Sequence, residues 1–442
     1  MRYFDAVVIG GGILGCFAAR NLCRWNISTA LIEKEADVCT GITRANSAII
    51  YPGYDNRPGS LKAKLTVQGN LNYEALCQEL DVPFSRCGSL LVTYDSSSVS
   101  KLHRKLDHGT QNGVPGLRLL TGAEAEAMEP MLRPGVVAAL YAPTTGTVNP
   151  WQLGIAAYEN ALSNGMIPFL STEVSAIIKD GTEYLVTIGH ETIRCRAVLN
   201  CAGLCAGQVQ ELLFPPSVRL ELDSAEYLVL DDHAKKPERV IFHQAQKCGK
   251  GITAIPCVEG NLLISGVRKE MNIPFSTTPE GLAELHAATK ELLPDLDLSQ
   301  IIRSFAAVRP NPYVASGDSL HDFCIENPDS GFYSLIGIKT PGLTCANELG
   351  LHLAQLTATY LNADRNANFD PHRKAIPKTA DPDIICQCGQ ITKSEIIEAI
   401  HRGAASVDGV KRRVGSGMGR CQGSRCSFAI EKLLKEYGHG AC

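Results

Sequence analysis

The sequence predicts an α/β fold in which a Rossmann-like dinucleotide-binding domain is interleaved with an antiparallel-sheet domain and followed by a small helical tail. Three observations carry this reading. A glycine fingerprint sits between a strand and a helix at the N-terminus, two later stretches run from strand into small residues, and a cysteine cluster stands apart behind a proline-rich segment.

Residues 4 to 9, "FDAVVI", are a β-branched run of strand type, and Gly10, Gly12 and Gly15 follow as G-x-G-x-x-G before the helix-like "ILGCFAARNL". A second strand, "STALIEK", carries Glu33, eighteen residues after Gly15. In a dinucleotide fold such glycines let the backbone approach a pyrophosphate at a helix N-terminus, and the acid takes a ribose hydroxyl. Residues 197 to 207, "AVLNCAGLCAG", and 331 to 347, "GFYSLIGIKTPGLTCAN", repeat the pattern of strand followed by small residues. One nucleotide site assembled from segments so far apart is the layout of an FAD domain interrupted by insertions, which a simple NAD dehydrogenase does not need. The expected FAD-binding domain is residues 1–80, 146–215 and 325–365. Residues 81–145 and 216–324, with strand-like runs such as "GSLLVTY", "AEYLVL" and "GNLLISGV", are expected to form a substrate domain built on an antiparallel sheet.

Composition narrows the function classes. With 442 residues the chain is long enough for two to four domains. A net charge of −4 gives no electrostatic footprint for nucleic acid. No run of 18 apolar residues appears, so a cytoplasmic protein is expected, at most peripheral to a membrane through a partner. Seventeen cysteines, an odd number in a chain without a secretory signal, argue against a disulfide framework, and thirteen of them are scattered singly like small buried hydrophobes.

The other four form the tail's signature. Residues 366–383, with Pro371, Pro377 and Pro382, read as a linker, and residues 384–442 as a separate small domain. Cys386 and Cys388 are followed after 32 residues by Cys421 and Cys426. In an extended segment residues i and i+2 project to one side, so C-x-C presents two thiolates together. Four thiolates suit a structural zinc or an iron–sulfur cluster. Thr392 and Glu395 form a capping-box pattern before the apolar stripe Ile396, Ile397 and Ile400. Lys411, Arg412 and Arg413 are expected to balance the cluster's negative charge.

Several stretches in register identify a family. "TRANSAIIYPGYDNRPGSLKAKL" (residues 43 to 65), "NGVPGLRLLTGAEAEAMEP", "TGTVNPWQL", "GNLLISG" and "AAVRPNP" together resemble the D-amino-acid-oxidase-like FAD dehydrogenases over nearly all of residues 1 to 365. The nearest branches are the L-2-hydroxyglutarate dehydrogenases and the A subunit of anaerobic glycerol-3-phosphate dehydrogenases. The tail, through both cysteine pairs and "VDGVKRR", resembles the bacterioferritin-associated-ferredoxin-like 2Fe-2S domain that ends that same A subunit.

This resemblance implies an enzyme that moves a hydride from the carbon bearing a hydroxyl to FAD. Carried over by position, Gly10, Gly12 and Gly15 hold the pyrophosphate, Glu33 the adenosine ribose, and Asn46 with Ser47 the phosphate or flavin edge, while Lys34, Val174 and Ala202 complete the cofactor set. The turn Gly342, Leu343, Thr344 lies against the flavin, and Arg309 in "AAVRP" faces an anionic substrate group, as a planar fork of donors suits carboxylate or phosphate. The 2Fe-2S cluster falls to Cys386, Cys388, Cys421 and Cys426, and the electrons leave to a partner flavoprotein or iron–sulfur subunit. Two departures bear on the substrate. Tyr51 stands where relatives carry histidine, and Lys339 stands where they carry an acid, as a second cation beside Arg309. The expected substrate is a small anionic alcohol, sn-glycerol 3-phosphate first. The alternatives are L-2-hydroxyglutarate or another 2-hydroxy acid, an imino or amino acid, or a non-catalytic electron-transfer role.

Overall fold

The computed structural model describes residues 1–442 except 233–234, 244–250, 271–274, 315 and 439–442, so the last four residues expected in the tail domain lie outside the description. Its first sheet is built outward from strand Arg2–Ile9. This strand pairs in parallel with Thr29–Ile32 on one side and Glu191–Asn200 on the other, with Val7 opposite Val198. Strand alternation sends Ala6 and Val8 to one core and Val7 and Ile9 to another. A strand apolar on both faces must be covered on both. Helices Ile13–Leu22, Pro150–Ser163 and Ala346–Leu361 cover the first face, close enough that a Cβ on Gly350 would lie 2.6 Å from the Phe17 backbone. Strands Val174–Asp180 and Glu183–Ile188 supply Ile177, Tyr184 and Val186 to the second core.

Strand Glu191–Asn200 forks. Its first half pairs antiparallel with Glu183–Ile188, and its last three residues pair in parallel with Phe332–Ile336. The fork brings the stretches beginning at residues 201 and 337 to the C-terminal edge of the sheet beside the glycine turn, where α/β sheets bind ligands.

The second sheet has eight strands, ordered Ile301–Val314, Val218–Leu230, Leu262–Glu270, Thr253–Pro256, Val240–His243, Ser89–Thr93, Ala138–Ala142, Arg118–Thr121. It is antiparallel apart from one pair, because Val240–His243 runs parallel to Ser89–Thr93. Helix Pro279–Leu292 packs on one side, with its Leu285 over Leu228 and Ile264. On the other side Ile49, Val240 and Leu263 close a small core with Tyr51, Phe242 and Phe305, which ties this sheet to the first domain.

The tail pairs Ile384–Cys386 with Ile391–Thr392 and buries Ile396, Val410, Ile430 and Leu433 among three helices. Thr392 and Glu395 make the capping box, each accepting from the other's backbone N–H. The proline-rich stretch 366–383 is pinned to the first domain. Arg20 donates to the Pro371 carbonyl, Asn160 to those of Asp370 and His372, and Arg373 to the Glu159 carboxylate at 2.7 Å.

Arg412 and Arg413 do not face the cysteines, contrary to the charge-balancing role expected for them. Both reach Asp37, in the loop after Glu33. Arg413 grips both carboxylate oxygens at 2.8 and 2.9 Å, Arg412 adds a third bond at 2.8 Å, and all three residues are buried. An aspartate flanked by two guanidiniums on another domain is an interdomain clamp. Burial pushes the Asp37 carboxyl up, but the two guanidiniums outweigh it and hold it below the usual carboxylate range.

Candidate functional site

The glycine turn shows a separate physical need at each position. Gly10 has φ +102°, and a Cβ there would lie 2.6 Å from the Cys201 carbonyl oxygen and 2.8 Å from the Ala202 Cα, so the turn and the second small-residue stretch touch backbone to backbone. A Cβ on Gly15 would fall 1.8 Å from the Gly10 oxygen, which fixes how closely the helix follows the strand. Gly12 has open space, with only the Thr43 hydroxyl within 4 Å, and helix Ile13–Leu22 begins there without a side-chain cap. The Ile13 N–H donates to the Thr43 hydroxyl at 3.0 Å, and the positive end of the helix behind an uncrowded glycine fits a pyrophosphate.

Glu33 is buried beside this turn. It accepts from the Gly11 N–H at 2.5 Å and the Glu35 N–H at 2.9 Å, and a carboxylate retains lone pairs for a ribose hydroxyl. Lys34 is exposed, and Val174 sits half-buried at the start of its strand against the second core. Asn46 spends its side chain on its own turn, donating to the Thr43 carbonyl and accepting from the Ala48 N–H, which sustains the positive φ of Ala48. Ser47 lies 3.4 Å from the Tyr51 hydroxyl.

The third stretch meets these residues through Thr344. Its Oγ1 accepts the Tyr51 N–H at 2.9 Å, the Leu343 carbonyl accepts the Tyr73 hydroxyl, and the Gly342 N–H bonds to the Lys339 carbonyl. Helix Leu61–Glu79 backs the turn so closely that a Cβ on Gly69 would lie 2.3 Å from the Thr344 oxygen. Residues 293 apart are thus tied into one wall.

Arg309 stands opposite Asp223 in the long ladder with Val218–Leu230, and four rungs away Tyr227 stacks on Phe305 at 4.6 Å. Phe305, on the same strand, packs in the small core that also holds Tyr51, between the two large domains, and the arginine's charge acts on the Tyr51 hydroxyl. Burial first, then Tyr227 and Asp55, push the Tyr51 hydroxyl up to about 12, against the smaller opposing pull of Ser47 and Arg309. Tyr51 therefore stays protonated at neutral pH, as a hydrogen-bond donor and not a base. Lys339 donates to the Asn311 amide oxygen at 3.0 Å, and Asn311 bonds to the Arg309 carbonyl, so Lys339 braces the strand that carries the arginine.

Sequence reasoning passed over Lys62. It lies in the first turn of Leu61–Glu79, is 8% exposed, and places its Nζ 5.4 Å from the Phe323 ring. Burial, with the Arg309 charge behind it, pushes its ammonium below the usual lysine range. The signal was a cation at a helix N-terminus, where the macrodipole favours an acid.

In the tail, Cys386 ends its strand and is buried, whereas Cys388 lies in the following turn and is exposed. The extended-strand argument for C-x-C fails here, because the chain turns between the two thiols. The sulfurs come in pairs instead. Cys388 and Cys421 are 3.5 Å apart, and Cys386 lies beside Cys426, with the Gly417 N–H aimed at the Cys386 sulfur. A Cβ on Gly419 would sit 2.5 Å from the Cys388 Cβ, so that glycine lets the loop close over the pair. Among the described residues no three His, Cys, Asp or Glu side chains converge as ligands of one metal ion. Two thiol pairs suit two irons better than one tetrahedral zinc.

Known proteins agree with this geometry. Residues 5–356 match the FAD dependent oxidoreductase family, and residues 384–436 match the BFD-like [2Fe-2S] binding domain. The chain is 38% identical to a glycerol 3-phosphate dehydrogenase of Caloramator mitchellensis, covering 98% of this chain and 95% of that protein. It is 34% identical to the human mitochondrial L-2-hydroxyglutarate dehydrogenase, over 73% of this chain and 81% of the other. The FAD-bound L-α-glycerophosphate oxidase of Mycoplasma pneumoniae superposes with a TM-score of 0.78 at 23% identity, covering 86% of this chain and all of that one. The chain belongs to the FAD-dependent oxidoreductases, and its cofactors are FAD and a 2Fe-2S cluster.

Proposed function

We propose that this FAD-dependent oxidoreductase is a dehydrogenase of sn-glycerol 3-phosphate that passes its electrons to a partner protein. What supports the reading is the bond between Tyr51 and the Thr344 turn beside the strand that carries Arg309, in a chain that matches a glycerol 3-phosphate dehydrogenase through its tail. When bound, FAD takes up a hydride as two electrons and the 2Fe-2S cluster carries electrons singly.

The chain's own residues then have defined tasks. Arg309 orients the anionic end of the substrate through its paired donors. Tyr51 keeps its proton and donates to a substrate oxygen, with Ser47 fixing its hydroxyl. Thr344 anchors the Tyr51 backbone and so sets the distance between substrate wall and cofactor wall. Gly10, Gly12, Gly15 and Glu33 hold the dinucleotide, and the four tail cysteines hold the cluster. The electron acceptor would dock at the exposed Cys388 side of the tail, in the cytoplasm.

Anaerobic titration of the holoenzyme with a panel of alcohols tests the reading. Glycerol 3-phosphate should bleach the flavin absorbance at micromolar to millimolar concentration, ahead of L-2-hydroxyglutarate, lactate and proline. Bleaching by a hydroxy acid or an amino acid alone would overturn it.

A further inference from the structure

We propose that Lys62 is a second substrate-binding cation, which with Arg309 forms a subsite for a dianionic group such as a phosphate monoester. The proposal rests on the functional reading above and names the part of the site that would select the phosphate.

The placement is costly and its structural return is small. Lys62 is 8% exposed, and among the described residues its Nζ makes no salt bridge or hydrogen bond, only the face contact with Phe323. It stands in the first turn of its helix, where the dipole already repels a cation. The Asp322 charge favours the ammonium, but its two oxygens accept from the backbone N–H groups of Leu61, Lys62 and Phe323, so it caps the helix and makes no salt bridge with Lys62. The Arg309 charge acts on Lys62 as it does on Tyr51. An anion seated against the buried Lys62 ammonium would offset the cost of keeping that charge out of water.

Helix Leu61–Glu79 also fixes where the Lys62 backbone sits. Thr66 donates to the Lys62 carbonyl at 2.6 Å and meets Cys345 at 3.4 Å, and Gly69 abuts Thr344. The helix that carries Lys62 is therefore packed directly on the turn expected against the flavin. Arg309 alone satisfies a monocarboxylate with its fork. A phosphate monoester, at about −1.5 to −2 near neutral pH, has charge and oxygens left for the compact ammonium.

Lys62→Met, Lys62→Arg and wild-type holoenzyme, matched for flavin content and melting temperature, test this with two probes. One is the KM and kcat for glycerol 3-phosphate. The other is the Kd of inorganic phosphate, read from its perturbation of the flavin spectrum without turnover. Lys62→Met should raise both KM and phosphate Kd about 30-fold or more, the lower range for truncating one member of a buried charge contact, with kcat far less affected. Lys62→Arg should recover most of the loss, and Lys62→Gln replaces the methionine variant if that one loses flavin. Unchanged KM and phosphate Kd in a folded variant overturn the subsite while leaving the substrate intact. If wild-type enzyme ignores glycerol 3-phosphate yet loses phosphate affinity on Lys62→Met, the substrate assignment falls and the subsite stands.

Discussion

Replacing Asp37 by alanine should release the tail from the flavin domain without unfolding either. The substitution removes three charge-assisted bonds of 2.8 to 2.9 Å and leaves the Arg412 and Arg413 guanidiniums buried without their partner. Breaking a buried pair this way costs about 3–5 kcal/mol. The remaining ion pairs across the interface cannot compensate. Arg402 reaches Glu159 at 3.5 Å and Arg420 reaches Asp231 at 3.8 Å with its side chain 67% exposed, contacts worth about 0–1 kcal/mol each. At 1.4 kcal/mol per decade the docked state should lose a factor of roughly 100 to 4,000 in population. The clamp depresses the aspartate's folded-state pKa, so its contribution is complete above the unfolded value near 4 and is lost only as pH falls below it. Docking should accordingly be independent of pH from about 5 to 9. The assay is stopped-flow reduction by substrate, read separately at flavin and cluster wavelengths, with hydrogen exchange over residues 407–414 in parallel. Asp37→Ala, and Arg412→Ala with Arg413→Ala from the other side, should keep flavin reduction while slowing cluster reduction and raising exchange in that helix. Wild-type cluster reduction and wild-type protection in both variants would show that the clamp does not hold the tail.

Other outcomes follow from the same geometry. Arg309→Ala should lower kcat/KM for an anionic alcohol by about 30-fold or more, as expected for removing one partner of a desolvated charge contact, with cofactor content unchanged. Tyr51→Phe should leave the pH–kcat profile between 6 and 9 without a lost limb, because a hydroxyl pushed up to about 12 does not titrate there; a limb that disappears with the hydroxyl would make Tyr51 a base after all. Gly15→Ala should yield protein without FAD, since the new Cβ would overlap the Gly10 carbonyl oxygen. Cys388→Ser should abolish the visible cluster spectrum and lower iron content while the flavin still bleaches with substrate.

The sequence was most informative where one residue type satisfies one backbone demand. Gly10 and Gly15 answer to a carbonyl and a Cα within 3 Å, and no other side chain fits, so their spacing could be read directly. The capping box at Thr392 was legible for the same reason, being a local pairing three residues long. Pairings over hundreds of residues were not. Nothing local in "VKRR" says that Arg412 and Arg413 find an acid 375 and 376 residues earlier. The parallel pairing of Val240–His243 with Ser89–Thr93 likewise depends on two separate insertions building one sheet.

Lys62 shows how a local rule, once broken, marks a site. A lysine in the first turn of a helix is unfavourable by about 0.3–1 kcal/mol even at a surface, and burial adds to that. A packing role does not explain the choice, because a methionine would fill the same stem volume beside Phe323 without the charge. Lys339, which the sequence offered as the second cation, is instead engaged by Asn311. The residue whose charge the fold leaves unneutralised is the one with charge to give a substrate. Arg413 differs from Lys62 in this respect: its guanidinium grips Asp37 and holds two domains together, so its charge is already spent within the protein.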